Sequence, residues 1–237
     1  MKLGIIGATG RAGSLILAEA EQRGHEVVAL VRDRRKLTTA TACIEKPVLE
    51  LDRSDIQGLD VLVSAYGVPL GREHEHLDAT RHLLDILRGT STRLIIVGSA
   101  GHLFTSSART SRYYETELEP GPLRDGSAVL RQVTDILAAC PDVTWTYLAP
   151  AIEFQPNGPR TGTYRSGGDV VLRDAQGRSQ ISYADYAIAL IDEIEAPRHR
   201  DRSFTVAHSE NIEPSRLRAH VSASATGTTR RRTPTAP

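Results

Sequence analysis

The stretch that decides the fold is "GIIGATGRAGSLIL", residues 4–17, with glycines at 7, 10 and 13. The run leading into them, "KLGII" (2–6), is almost wholly apolar and does not alternate, as in a strand buried on both faces of a parallel sheet. Beyond them, from Arg11 to Arg23, Leu15, Ile16, Leu17, Ala18 and Ala20 recur at helical spacing, and Gly24 closes the helix. Strand, three spaced glycines and helix together form the context a dinucleotide-phosphate loop requires. Gly7 allows the tight turn at the strand end, Gly10 lets backbone approach a pyrophosphate, and Gly13 lets helix and strand pack closely. Free N–H groups and the positive end of the helix dipole then face the phosphates.

The second strand, "EVVALV" (26–31), runs into Arg32 at the point where an acidic residue usually holds the ribose 2′-hydroxyl of NAD. A guanidinium there matches a 2′-phosphate, and Arg34, Arg35 and Lys36 add positive field. The cofactor expected is therefore NADP(H) in preference to NAD(H). Asp33 dissents, unless it serves as the N-cap of the turn "DRRKL".

Farther out, strands are expected at "PVLEL" (47–51), "DVLVSA" (60–65), "RLIIVGSA" (93–100) and "VTWTYLA" (143–149). Helices are expected at about 73–88 and 125–140, with a long polar loop at 101–123 between the fifth strand and the second of these helices. The alternation predicts an α/β fold, a Rossmann-like doubly wound parallel sheet with helices on both faces. After Pro150, "GDVVLRDAQGRSQIS" reads as a hairpin turning at Asp174–Gly177, "YADYAIALIDEIE" (183–195) as a helix and "SFTVA" (203–207) as a last strand. Residues 151–208 are expected to be a small substrate-side excursion of one NAD(P)-binding domain spanning 1–208. Residues 209–237, poor in large apolar side chains, read as a disordered tail.

The chain has 237 residues, equal numbers of acidic and basic residues (29 each) and 24% charged residues, which gives no general attraction to nucleic acid or an anionic membrane. It has no apolar stretch of membrane-spanning length and no recognisable signal peptide, so a cytoplasmic protein is expected. Cys43 and Cys140 lack metal-like spacing and read as plain thiols. "REHEHL" (72–77) places His74 and His76 two apart, on different helix faces, and reads as a solvated face, not a zinc site. "VGSAG" lacks the first glycine of a nucleophile elbow, and no phosphate loop for ATP or GTP is present.

Taken together, "GATGRAG", "VRDRRKL", "VLVSAYG", "RLIIVGSAG", "WTYLAPA" and the 160–195 stretch resemble the atypical short-chain dehydrogenase/reductases of the NAD(P)H-binding, NmrA-like group. The nearest subset is that of the bacterial NADH–flavin reductase-like proteins, similar to biliverdin-IXβ/flavin reductases. The resemblance covers about residues 1–207. It implies that Gly7, Thr9, Gly10, Arg11 and Ala12 line the pyrophosphate and that Arg32 meets the 2′-phosphate. It implies further that Asp52 and Arg53 flank the adenine, that Ser64, Ala65 and Tyr66 sit beside the nicotinamide ribose, that Ser99 lies near the carboxamide and substrate, and that Pro150 and Ala151 form the wall after the sixth strand.

The chain departs from that group in its acid–base chemistry. Its only lysines are Lys2, Lys36 and Lys46, so no Tyr-x-x-x-Lys pair exists, and Ala151 stands where the biliverdin-IXβ reductase-like enzymes carry a histidine. Hydride transfer to an electrophilic flavin or quinone tolerates this loss, because positioning carries most of the task. Ser99 as a hydrogen-bond donor, His102 as a proton donor and Tyr113 as a stacking platform beside Tyr114 are the candidate catalytic residues, each with an alternative as an ordinary cap, loop histidine or surface aromatic. Phe154 and Tyr164 are candidate pocket walls. The expectation is an NADPH-dependent reductase of a flat conjugated small-molecule acceptor, acting as a monomer or homodimer. The alternatives are an NADP(H)-sensing regulator and a natural-product tailoring reductase or cyclase.

Overall fold

The computed structural model describes residues 1–209. Eight strands form one sheet: β1 (Lys2–Ile6), β2 (Glu26–Val31), β3 (Ala42–Glu45), β4 (Val61–Ser64), β5 (Arg93–Val97), β6 (Trp145–Ala149), β8 (Tyr164–Gly167) and β10 (Arg202–His208). Their order is β3-β2-β1-β4-β5-β6-β10-β8, and every neighbour pair is parallel except β10 with β8. Two further short strands, β7 (Glu153–Gln155) and β9 (Gln180–Ser182), pair in parallel beside the sheet.

The non-alternating apolar strands follow from burial on both faces. In β1, Leu3 and Ile5 point into one core and Ile6 into the other. Helices α1 (Arg11–Gln22) and α5 (Tyr183–Glu195) cover the first face, and α2 (His74–Leu87) and α4 (Pro122–Ala138) the second. Fully buried side chains such as Leu62, Leu83, Leu94 and Leu148, each at 0% exposure, contribute roughly 1.5–3 kcal/mol apiece. The α1–α5 seam also holds a buried carboxylate: Glu19 accepts hydrogen bonds from Arg23 on its own helix (2.8 Å) and from Arg160 in the segment after β7 (2.7 Å). The same segment is gripped by buried Asp185 near the start of α5, which accepts the N–H groups of Thr161 (2.9 Å) and Gly162 (3.0 Å).

Three expectations are corrected. Residues 47–51 are not a strand: Val48–Glu50 is a 3₁₀ turn, and the third strand is Ala42–Glu45. It is an edge strand paired only with β2, so its residues are exposed or half-buried and its apolar signal is weak. Pro47 has no N–H for a ladder, while Val48 and Leu51 turn inward to pack beneath α2. Next, the hairpin around Asp174 does not form. The turn itself closes, with Asp174 Oδ1 accepting the N–H groups of Gln176 and Arg178, but β8 pairs with β10 and β9 with β7. Between them Val171 bonds back to Phe104 (2.9 Å), so the apolar residues close over the long loop instead of pairing with one another. Finally, that loop is partly regular, carrying a 3₁₀ turn at Ala100–His102 and the single turn α3 (Tyr113–Thr116); α4 begins at Pro122, earlier than the expected 125, and β5 ends at Val97. The tail expectation falls on residues 210–237, outside the described residues.

Candidate cofactor and acceptor cleft

A cleft of about 470 Å³ opens at the carboxyl ends of β1, β2, β4 and β5, where the strand order reverses on either side of β1. In open parallel sheets this switch point is where ligands bind. Gly7 turns the chain out of β1 at φ +73°, and a Cβ on it would stand 2.5 Å from the Ala65 carbonyl oxygen. A Cβ on Gly13 would stand 2.1 Å from the Gly7 carbonyl oxygen, so α1 reaches its position only because that atom is missing. Gly10 is the N-cap residue of α1, with no capping side chain and no acidic residue in the helix's first turn. The first amides of α1 are therefore left for an anion. These bare-backbone positions fit the pyrophosphate of a dinucleotide.

At the β2 end, Asp33 does serve as a cap. Its carboxylate accepts the Arg35 N–H at 3.1 Å and the Arg35 guanidinium at 2.8 and 3.0 Å, and that pairing holds its pKa below the usual carboxylate range. Arg32 and Lys36 line the cleft and make no ion pair among the described residues. Lys46, Val48 and Leu51 complete this end. Asp52 and Arg53, expected here, do not line the cleft: Asp52 is exposed and bound to Lys46 and Ser54, and Arg53 reaches the Asp85 carbonyl instead. The corner after Leu51 turns both side chains outward and leaves the apolar residues facing in.

The cleft also gathers Thr9, Arg11, Ala12, Ser64, Ala65, Tyr66 and Ser99. Tyr66 donates from its phenol to Glu75 at 3.1 Å; burial, then Glu75, raises its pKa. Ser99 acts as a local cap, its hydroxyl oxygen accepting the Gly101 N–H at 3.2 Å. Gly13 is a packing residue beneath the loop, not part of the cleft lining.

Four other expected residues lie elsewhere. His102 is 3% exposed, with both ring nitrogens engaged: Nδ1 lies 2.9 Å from the Ser99 carbonyl and Nε2 lies 2.6 Å from the Ser203 hydroxyl. A carbonyl only accepts, so the proton sits on Nδ1, and Nε2 accepts from Ser203. Burial pushes its pKa down to about 4, which leaves it neutral and unable to supply a proton near neutrality. Tyr113 packs half-buried against the α2–α4 core, away from the cleft. Ala151 is buried in the opposite core and Pro150 continues behind it, its carbonyl accepting from Thr205. Of the candidate walls, Phe154 lines the cleft with its ring 3.8 Å from that of Tyr183, whereas Tyr164 is turned away to donate to Asp192 at 2.6 Å.

Several residues that line the cleft are not among those the sequence singles out for it. His76 is not solvated as expected. It lines the cleft, half-buried and edge-on to Tyr66 at 5.5 Å, with no hydrogen-bond partner for its ring among the described residues; burial lowers its pKa against the pull of Glu73 and Glu75. Leu130 and Val133 of α4 present an apolar wall. Tyr147 forms the floor, its ring filling the space that a Cβ on Gly98 would occupy. A glycine at a strand end facing an aromatic one strand over was the signal available for that pair. Among the described residues no cluster of three or more His, Cys, Asp or Glu is placed to hold a metal ion, and no helix is long and apolar enough to cross a membrane.

YwnB of Bacillus subtilis, an uncharacterized protein, is 45% identical over 208 residues, covering 87% of this chain and 98% of its own. A Streptococcus pneumoniae structure, provisionally named an NADH-flavin reductase, superposes with a TM-score of 0.84 at 34% identity, covering 88% of this chain and all (100%) of its own. A Bacteroides thetaiotaomicron structure, provisionally named an epimerase, gives 0.79 at 31% identity, covering 90% and 99%. The model of the NAD(P)H-binding family matches residues 7–197, and the chain belongs to that family.

Proposed function

We propose that this protein is an NADPH-dependent oxidoreductase that passes a hydride to a flavin, a quinone or a similar flat conjugated acceptor. On this reading it acts through residues 1–208 as one unit, in the cytoplasm, as a monomer or homodimer. The observation that carries the reading is the polarity of the cleft at the β1 switch point. At one end the acid that lines the cleft, Asp33, is taken up by Arg35 while Arg32 and Lys36 make no ion pair among the described residues, which suits a 2′-phosphate. At the other end Leu130, Val133, Phe154 and Tyr183 offer flat, apolar walls. The name of the S. pneumoniae relative points the same way.

A bound nicotinamide dinucleotide supplies the hydride. The chain's own residues bind and orient. The loop from Gly7 to Ala12 would hold the phosphates, with the first-turn amides of Arg11 and Ala12 left free for them; Ser64 to Tyr66 would border the ribose, and the apolar walls would orient the acceptor and exclude water. Mixing the protein with NADPH or NADH and a panel of FMN, riboflavin and menadione, while following the nicotinamide absorbance band, tests the reading. NADPH is expected to turn over faster than NADH, and rates no faster than buffer across the panel would overturn it. The lack of a Tyr-x-x-x-Lys pair, and of a histidine at Ala151, favours one second reading, an NADP(H)-sensing regulator; equal affinity for both redox forms without turnover would select it.

A further inference from the structure

The hydrogen-bonded tyrosines differ in how they use the phenol. Tyr66, Tyr114, Tyr164 and Tyr186 all donate, to Glu75, Glu115, Asp192 and the Leu148 carbonyl respectively. Tyr147 does the reverse: its oxygen accepts the Ser99 N–H at 2.9 Å. Its own proton has no acceptor among the described residues, although the side chain is 2% exposed. A buried hydroxyl with an unused donor is costly unless something outside the chain accepts from it. The residue lines the cleft on the side of Ser99 and Gly98, at the end remote from Arg32. Gly98 makes the placement possible, since a Cβ there would stand 2.2 Å from the Tyr147 ring. The edge of His102, 4.8 Å away between ring centroids, holds the ring from behind.

We propose that Tyr147 donates a hydrogen bond to the carbonyl oxygen of a flat conjugated ring bound at the head of the cleft, and that this bond fixes the orientation of the ring. The proposal rests on the cofactor reading above. Two rings carry such a carbonyl: the nicotinamide, through its carboxamide, and a flavin or quinone acceptor. Burial pushes the phenol up to about 12, so it remains a protonated donor across the working pH range. The Ser99 N–H polarises the oxygen and strengthens the O–H as a donor.

Tyr147→Phe keeps the ring and removes only the oxygen. Calorimetry with NADP⁺ and with 2′-phospho-ADP-ribose, which lacks the nicotinamide, separates the sources. If the carboxamide is the acceptor, the variant loses about 5–10-fold in affinity for NADP⁺ and stays within about twofold for 2′-phospho-ADP-ribose. If the acceptor ring is the partner, both affinities hold and the KM for menadione rises by about the same factor, with no new ionisation in the pH profile. Two results overturn the proposal: no change in any of the three measurements, or equal losses for both nucleotides, which would mark Tyr147 as a scaffold residue. Binding of neither nucleotide by the unmodified protein would instead bring down the cofactor reading, and this inference with it. Ser99 loses its acceptor in the variant, so a lower thermal midpoint is expected in every case and decides nothing.

Discussion

The two ends of the cleft are built in different ways. At the phosphate end the work falls to backbone, supplied by residues 7–13 with Arg32 one strand away. At the ring end it falls to side chains from seven separate segments: Tyr66, His76, Ser99, Leu130, Tyr147 and the Phe154–Tyr183 pair. A backbone site depends on what is absent, namely Cβ atoms, and so fails abruptly. A side-chain site depends on many modest contacts and fails gradually. Substitutions at the two ends should show that difference.

The largest effect is expected from Gly13→Ala, whose Cβ would press on the Gly7 backbone at 2.1 Å. Neither partner is the tip of a flexible side chain, so the loop must shift; dinucleotide affinity should fall by about 100-fold or more, with roughly 2–4 kcal/mol lost in denaturant unfolding. A variant that binds normally would break the comparison. Arg32→Ala comes next: about 10–100-fold weaker NADPH binding, the loss of one charge-assisted contact, with NADH nearly unchanged, read as a ratio of KM values. An equal loss for both cofactors would remove the 2′-phosphate role.

His102 sharpens the comparison from outside the cleft. Its folded pKa, about 4, lies below the usual 6.5, so the unfolded chain takes up the proton first as pH falls. The stability its neutral form confers is complete above about pH 6.5 and is lost progressively down to about pH 4, amounting to about 2 kcal/mol by about pH 5. His102→Gln should flatten that part of a stability–pH curve, and the activity profile near neutrality should show no ionisation from this residue. The smallest effect is expected from Arg53→Ala, which should leave cofactor affinity within about twofold, because the side chain reaches the Asp85 carbonyl and not the cleft.

The same contrast explains what the sequence made legible. Gly7, Gly10 and Gly13 are decoded by their spacing within one loop, and the doubly buried strands β1, β2, β4, β5 and β6 by unbroken apolar runs, because both signals are local. Edge strand β3 has one neighbour and half-exposed residues, so "ACIE" carries little signal and the more apolar "PVLEL" drew the assignment instead. The segment 168–182 has a true turn at its centre, yet its flanks choose partners more than twenty residues away, as β8 does in β10. His102 sits in a stretch that reads as a polar loop; only the fold brings Ser203 to its ring. The spacing of His76 from His74 reads as a solvated face, and the packing of α2 beside Tyr66 decides otherwise.

Glu19 braces one bank of the cleft more firmly than the other. This single carboxylate clasps both the helix that opens the phosphate site and Arg160, which follows the Phe154 wall, while Asp185 grips the next two residues. Swinging that wall outward would strip a buried anion of a cation. The hydrogen bonds of the opposite rim, residues 66–72, run among the described residues only within its own turn and to the start of α2, such as Tyr66 and Arg72 to Glu75. Hydrogen exchange is therefore expected to run faster along that rim than at Thr161 and Gly162.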